Sequence, residues 1–225
     1  MTIRKHIPNT ITMLNLFSGS IGVYYAFQDN YLISLIAVLI AGLFDFLDGM
    51  AARTLKAYSP MGKELDSLAD MVSFGLLPGA IAFSLLAQSI FPDWIKYAGF
   101  IITVFSALRL AKFNLDENQT HSFIGLPTPS NTIFWAGIGY AFAPQLIAKP
   151  WIIIVFVVVF SYLLVAKLPM FALKFSNLRW SENSLQYIFL IGCIILLILF
   201  QLNAFAPIIV WYVLASIYAY VKKIG

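Results

Sequence analysis

Charge is what this 225-residue chain has least of: Asp, Glu, Lys and Arg make up 11% of it, against about 25% in a soluble globular protein. With 61% hydrophobic residues, that deficit excludes a soluble fold. It leaves little chain for an extramembrane domain, so a single membrane domain over residues 1–225 is expected. Cysteine is almost missing. Cys193 stands alone in an apolar run, so it forms no internal disulfide and says nothing about redox compartment. The chain has no visible repeat or low-complexity stretch, and no concentrated basic patch interleaved with aromatics, which argues against a nucleic-acid partner. Its first apolar segment lacks a small-residue cleavage site and runs at once into a second, so it reads as a retained anchor rather than a signal peptide.

What fills the chain instead is hydrocarbon. A spanning helix needs about 20 apolar residues, and eight windows qualify, at roughly 11–28, 31–50, 67–90, 94–113, 130–147, 151–168, 185–202 and 204–221. The expected fold is therefore all-α, a polytopic bundle of about eight transmembrane helices. Eight spans put Arg4, Lys5, Arg53, Lys56, Lys63, Arg109, Lys112, Lys167, Lys174, Arg179, Lys222 and Lys223 on one side. Lys96 and Lys149 fall on the other, a split of twelve against two. By the positive-inside rule both termini lie in the cytoplasm, in a multi-pass protein of the cell membrane. Trp135, Trp151, Trp180 and Trp211 are expected near span ends, and Lys167 to Arg179 as a basic segment on anionic lipid.

One stretch does not fit membrane packing. Asp45, Asp48, Asp66 and Asp70 lie between apolar runs, at about 2.5–3.5 kcal/mol each on insertion scales. Asp45 and Asp48 are three residues apart, Asp66 and Asp70 four, so each pair shares a helix face. Between the pairs, Tyr58-Ser59-Pro60 is a boundary: Ser59 suits a cap and Pro60 a first helical position. Gly62 then falls in a first turn, whose free N–H groups favour anions. Two antiparallel helices joined there would set the carboxylate pairs face to face. Gly42 and Gly49 would let a helix or ligand approach the same face closely.

Elsewhere polar residues are few. Pro8 marks where a surface segment could turn into the first span. Asn9 or Thr10 is read as a helix cap before a substrate contact, whereas Asn15 lies deeper, where it could meet a carboxylate. Arg109 and Lys112 suit a helix C-terminus. His121 reads as a solvated loop residue, and Gly125-Leu-Pro127-Thr-Pro129 as a rigid turn.

Grouped carboxylates without His or Cys select hard cations such as Mg²⁺ or Mn²⁺. Two such ions suit in-line displacement at phosphorus. Arg53, Arg109 and Lys112 supply charge for phosphate oxygens, and the glycines let a nucleotide lie against the backbone. The residue types alone thus point to phosphoryl transfer on a lipid.

The pattern Asp45-x2-Asp48-Gly49-x2-Ala52-Arg53-x8-Gly62-x3-Asp66-x3-Asp70 resembles the signature of the CDP-alcohol phosphotransferases at each of its eight fixed positions. That resemblance implies a six-helix core (about residues 8–175, leaving an added hairpin at about 185–222), a homodimer, and transfer of a phosphatidyl group from a CDP-linked lipid to an alcohol, releasing CMP. Further stretches look like the membrane-type phosphatidylserine synthases of that family. They are Pro8 to Asn15, Leu65 to Gly75, Ala107 to Asn114 and Phe123 to Pro129. Lys112 stands where that branch often has Arg, which keeps the charge but loses a bidentate fork.

By resemblance, Asp45, Asp48, Asp66 and Asp70 hold two divalent ions, Asp70 is general base on the serine hydroxyl, and Gly49, Ala52, Arg53 and Gly62 line the CDP pocket. Arg109 meets phosphate or the serine carboxylate, with Lys112, Asn114 and Asn15 as further acceptor-side residues. The expected substrates are CDP-diacylglycerol and L-serine. A sibling acting on glycerol phosphate or inositol phosphate would need more basic residues than Arg109 and Lys112. A divalent-cation transporter would spread its carboxylates through several spans, and here they cluster at one end.

Overall fold

The computed structural model describes residues 3–115, 123–171, 179–180 and 183–222, nearly all of them helical. The elements are α1 (Ile3–Phe27), α2 (Tyr31–Thr54), α3 (Pro60–Asp70), a π-helical turn (Met71–Leu76), α4 (Leu77–Ala87), a 3₁₀ segment (Asp93–Phe100) leading into α5 (Ile101–Leu115), β1 (Phe123–Ile124), α6 (Thr128–Ala148), α7 (Trp151–Val165), β2 (Pro169–Met170), α8 (Ser184–Phe200), a 3₁₀ turn (Gln201–Ala204) and α9 (Phe205–Lys222). The two strands are one antiparallel two-residue ladder. Four stretches among the described residues are long and apolar enough to cross a membrane: Tyr31–Thr54, Pro60–Ala87, Asp93–Leu115 and Ser184–Lys222. Trp151–Val165 is a shorter apolar helix.

Local chemistry sets the turns. The side chain of Asn30 caps α2, accepting from the Ile33 amide at 3.2 Å. At the far end of α2, Lys56 takes a left-handed φ of 50°. The Ala57 amide then reaches the Ala52 carbonyl (2.9 Å) and the Lys56 amide the Arg53 carbonyl (3.3 Å), the paired bonds of a Schellman stop. Ser59 starts α3, its Oγ accepting from the Gly62 amide at 3.0 Å with Pro60 in the first turn. The boundary read from Tyr58-Ser59-Pro60 is therefore where two helices reverse.

The π-helical turn has its cause in Pro78, which sits at the start of α4. Pro78 has no N–H to give the Phe74 carbonyl, and its ring crowds that carbonyl. The helix widens there, with the Leu77 amide bonding back to the Val72 carbonyl, and the Thr132 hydroxyl of α6 donates to Phe74 O at 3.0 Å instead. At the residue before Phe74, the buried Ser73 hydroxyl donates to the Asn15 carbonyl of α1 at 3.1 Å. Gly19 makes that contact possible, because a Cβ there would lie 2.6 Å from Ser73 Cα.

The core is built on α6, which packs against α2, α4 and α9. Trp135, expected at a membrane interface, is instead 0% exposed inside this helix, edge-on to Phe134 and Phe160. With neighbours on three sides, α6 has no room to present a large ring to lipid headgroups. The amino terminus also differs from expectation: α1 begins at Ile3 and runs through Pro8. Thr10 therefore does not cap a helix start but donates within the helix to the His6 carbonyl at 2.9 Å. A Cβ added at Gly42 would meet no atom within 4 Å, so no helix among the described residues approaches it. At the opposite end from the aspartates, Gln88 donates to Asp29 (2.9 Å) and Tyr31 (2.8 Å), tying the α1–α2 turn to α4.

Candidate active site

The reversal between α2 and α3 brings one aspartate of the second pair, Asp66, against both aspartates of the first. Carboxylate oxygens of Asp45, Asp48 and Asp66 all lie within 4.8 Å of one another. Three anions at that separation in a largely buried setting repel strongly. Asp48 Oδ2 is buried and has no hydrogen-bond partner. Oxygen donors alone, crowded together with an orphaned buried oxygen, form a set that fits a hard divalent cation. Asp70 falls outside this trio. Its Oδ1 accepts from Asn15 Nδ2 at 3.4 Å, and the Asn15 backbone is itself held by Ser73. The structure therefore brings three of the four aspartates into one cluster and sets the fourth beside them, oriented from α1.

Next to the trio opens a cavity of about 370 Å³ whose lining includes Asp48, Gly49, Ala52, Arg53, Gly62 and Asp66. All four residues expected to contact the CDP group thus share one wall with two of the carboxylates. Gly62 keeps the cavity open, since a Cβ there would press on Asn9 Oδ1 and Ser59 Oγ at 3.1 Å each. Asn9 and Thr12 also line this space. Residue type alone suggests a cap for Asn9 and points to neither as a lining residue. The available signal is the spacing of Asn9, Thr12 and Asn15, three apart and so on one face of α1.

Arg109 is only 7% exposed, yet the one ion pair among the described residues is Lys96–Asp93. Its Nε is buried without a partner, and the guanidinium lies in electrostatic reach of Asp70 and of Tyr212 on α9. A buried charge with no paired counter-ion is costly, which makes Arg109 ready for an anionic group. The other expected acceptor-side residues are placed differently. Lys112 is exposed on the last turn of α5. Asn114 spends its amide on Ser67 Oγ at 2.8 Å, pinning the end of α5 to α3. His121 lies outside the described residues, as does most of Lys167 to Arg179.

A family model for CDP-alcohol phosphatidyltransferases matches residues 5–221. The chain belongs to that family. Similar curated proteins include three named CDP-diacylglycerol–serine O-phosphatidyltransferase. The one from Bacillus subtilis is 34% identical over 145 residues, covering 64% of this chain and 81% of that protein. The one from Mycobacterium leprae is 29% identical over 174 residues, covering 73% of this chain and 57% of that protein. The one from Saccharomyces cerevisiae is 36% identical over 163 residues, covering 63% of this chain and 56% of that protein. The chain thus matches only a little over half the length of the last two. Membership of the CDP-alcohol phosphatidyltransferase family and the four long apolar stretches together mark a helical membrane protein.

Several further buried polar groups leave no clear signal in the sequence. Asn131 on α6 and Ser106 on α5 are both 0% exposed. Neither amide atom of Asn131, nor Ser106 Oγ, has a hydrogen-bond partner. Trp135 Nε1 is orphaned likewise. Leaving a buried polar group unsatisfied costs about 1–3 kcal/mol, so the pair at Asn131 calls for an explanation. In the sequence, Asn131 follows Pro127-Thr-Pro129-Ser as the second residue of the 130–147 window, and that context marks the entry of a span rather than its interior.

Proposed function

We propose that this protein transfers the phosphatidyl group of CDP-diacylglycerol to the hydroxyl of L-serine, giving phosphatidylserine and CMP. One observation carries the reading. Two reversed helix ends bring Asp45, Asp48 and Asp66 into a single cluster, with Asp70 beside it and a buried, unpaired Arg109 in electrostatic reach. The names of the three relatives support serine as the acceptor.

In this reading Asp70 takes the proton of the serine hydroxyl as its oxygen attacks the lipid-side phosphorus. The bond from that phosphorus to CMP breaks, and CMP leaves with the electron pair. The Asn15 amide orients Asp70. Arg109 receives the serine carboxylate, and Gly49, Ala52, Arg53 and Gly62 hold the nucleotide in the cavity they line. Lys112 adds positive charge from the surface, and Asn114 acts by fixing α3 through Ser67. Two divalent ions, Mg²⁺ or Mn²⁺, held by Asp45, Asp48 and Asp66 with Asp70, supply charge neutralisation for the attacking and leaving oxygens when bound. Asp70 makes a better base the more loosely it shares its ion, and its place outside the trio is consistent with that.

The reading extends to placement. We infer a single integral domain over residues 1–225, with a core at about 8–175 and a hairpin at about 185–222. It spans the cell membrane eight times, and the aspartate cluster and both termini face the cytoplasm. The basic residues support this with their split of twelve against two. A homodimer is part of the same proposal. The test of function is an assay in membranes with CDP-diacylglycerol and labelled acceptors. Serine should be incorporated with stoichiometric CMP. Consumption of glycerol phosphate or inositol phosphate with serine ignored would sink the assignment.

A further inference from the structure

The π-helical turn that follows Asp70 gathers polar groups for which the fold has no use. Thr132 is pinned to the Phe74 carbonyl, and the residue before it, Asn131, carries an amide with two donors and an acceptor oxygen, all buried and unpartnered. On the α5 side, Ser106 Cβ lies 3.3 Å from where a Gly75 side chain would begin, and its hydroxyl is likewise unpartnered. Arg109 is three residues on, so it shares a face of α5 with Ser106. Its Nε is the third buried group without a partner. An orphaned cation alone would suit any anion. An orphaned cation together with an orphaned amide oxygen and a hydroxyl calls for a molecule bearing both an anion and a donor.

We propose that Asn131, with Ser106, forms the α-amino end of the acceptor site. Asn131 Oδ1 and Ser106 Oγ accept from the ammonium of the amino-acid acceptor, and Asn131 Nδ2 shares its carboxylate with Arg109. The proposal rests on the serine reading above and adds to it the residues that select a zwitterion. Glycerol phosphate and inositol phosphate carry no ammonium and offer Asn131 Oδ1 and Ser106 Oγ only neutral hydroxyl donors, whose hydrogen bonds are about half as strong as charge-assisted ones. A site built to hydrogen-bond a polar group rejects analogues that lack it.

The test uses full-length protein in nanodiscs with CDP-diacylglycerol and divalent metal, comparing wild type with Asn131→Leu, Asn131→Asp and Ser106→Ala. Replacing an unsatisfied buried amide by a similar apolar side chain is neutral or stabilising for the fold. Asn131→Leu should therefore melt at or above wild type, while its serine KM rises at least tenfold and its KM for CDP-diacylglycerol stays within twofold. Its preference for L-serine over glycerate, which keeps the hydroxyl and carboxylate but has no ammonium, should fall at least tenfold. Asn131→Asp keeps the acceptor and repels a carboxylate, so the ratio of ethanolamine to serine use should rise at least tenfold. That variant carries the test if Asn131→Leu does not fold. Ser106→Ala should raise the serine KM severalfold.

A serine KM within twofold of wild type in Asn131→Leu, or an unchanged ethanolamine-to-serine ratio in Asn131→Asp, overturns the inference: Asn131 then meets no substrate. Wild type that ignores serine but turns over another acceptor overturns the proposed function itself, whatever the variants do.

Discussion

Gly19 offers a prediction whose size follows from two distances. A Cβ at position 19 would lie 2.6 Å from Ser73 Cα and 2.7 Å from Ser73 Cβ, where carbon atoms prefer about 3.5–4.0 Å. The Gly19→Ala variant must therefore push α1 and the π-helical turn apart by about 1 Å. Overpacking of this kind costs about 1–3 kcal/mol, against a helix-propensity gain of about 0.5–1 kcal/mol for replacing glycine. The net expectation is a loss of about 1–2 kcal/mol. Gly42 supplies the internal control, since nothing lies within 4 Å of a side chain there and Gly42→Ala keeps only the gain. At about 2–4 °C per kcal/mol for a chain this long, the two variants should melt about 3–12 °C apart at equal scan rate. Activity should follow, because Ser73 bonds to the Asn15 carbonyl and the Asn15 amide to Asp70 at 3.4 Å. A displacement of about 1 Å at a reacting group costs on the order of 10²-fold in rate. The assays are thermal melting in detergent and CMP release with CDP-diacylglycerol and serine. Gly19→Ala melting with or above Gly42→Ala, at the wild-type rate, would show that α1 does not brace the turn. Gly42→Ala losing stability would place a second chain against α2.

Other expectations are as direct. Asp48→Asn removes one carboxylate of the trio and should lower CMP release by at least about 10³-fold. Chelation of wild type should do the same and be reversed by Mg²⁺ or Mn²⁺, so activity persisting in chelator would remove the metal. Asp70→Asn should abolish turnover while CDP-diacylglycerol binding, read by isothermal titration, survives; lost binding with a normal residual rate would end its role as base. Arg109→Met replaces a buried cation without an ion-pair partner by an apolar side chain of similar length, which should leave the fold at least as stable as wild type. The same change should weaken serine use about 10–100-fold, the worth of a charge-assisted hydrogen bond. A destabilised variant with normal serine KM would mean that Arg109 already has a structural partner.

Which of these features can be read from the amino acids depends on whether they leave a local mark. The aspartates do, because charge at a spacing of three and four residues inside apolar runs has no packing explanation. The cap at Ser59-Pro60 does, because both residue types have strong positional preferences. The stop of α2 does not: a Schellman turn usually advertises itself with glycine, and here Lys56 takes the left-handed conformation. Trp135 misleads, because an aromatic near the expected end of a window resembles an interfacial residue until α6 is seen to be surrounded. Asn131 looks like the entry of a span rather than its interior, since Pro127 and Pro129 hide the fact that α6 has already begun at Thr128. Long-range placement decides both, and residue type carries no trace of it.

Pro78 shows how a local rule can organise a site without containing any of its chemistry. Its missing N–H frees the Phe74 carbonyl, the widened turn hands that carbonyl to Thr132, and α6 is thereby fixed against the segment that follows Asp70. The same segment hands the Ser73 hydroxyl to the Asn15 carbonyl, which fixes α1 and with it the side chain that holds Asp70. Two helices distant in sequence are thus registered on one defect in a third. The carboxylate half of the site needs none of this. It is made by the reversal from Lys56 to Ser59, which sets Asp45, Asp48 and Asp66 together and opens the cavity beside them. The two halves therefore rest on separate devices, and Asp70, the last residue of α3 and the first before the π-helical turn, is where they join. The acceptor site proposed above hangs on the turn, so substitutions on α5 and α6 should alter it while the carboxylate cluster stays as it is.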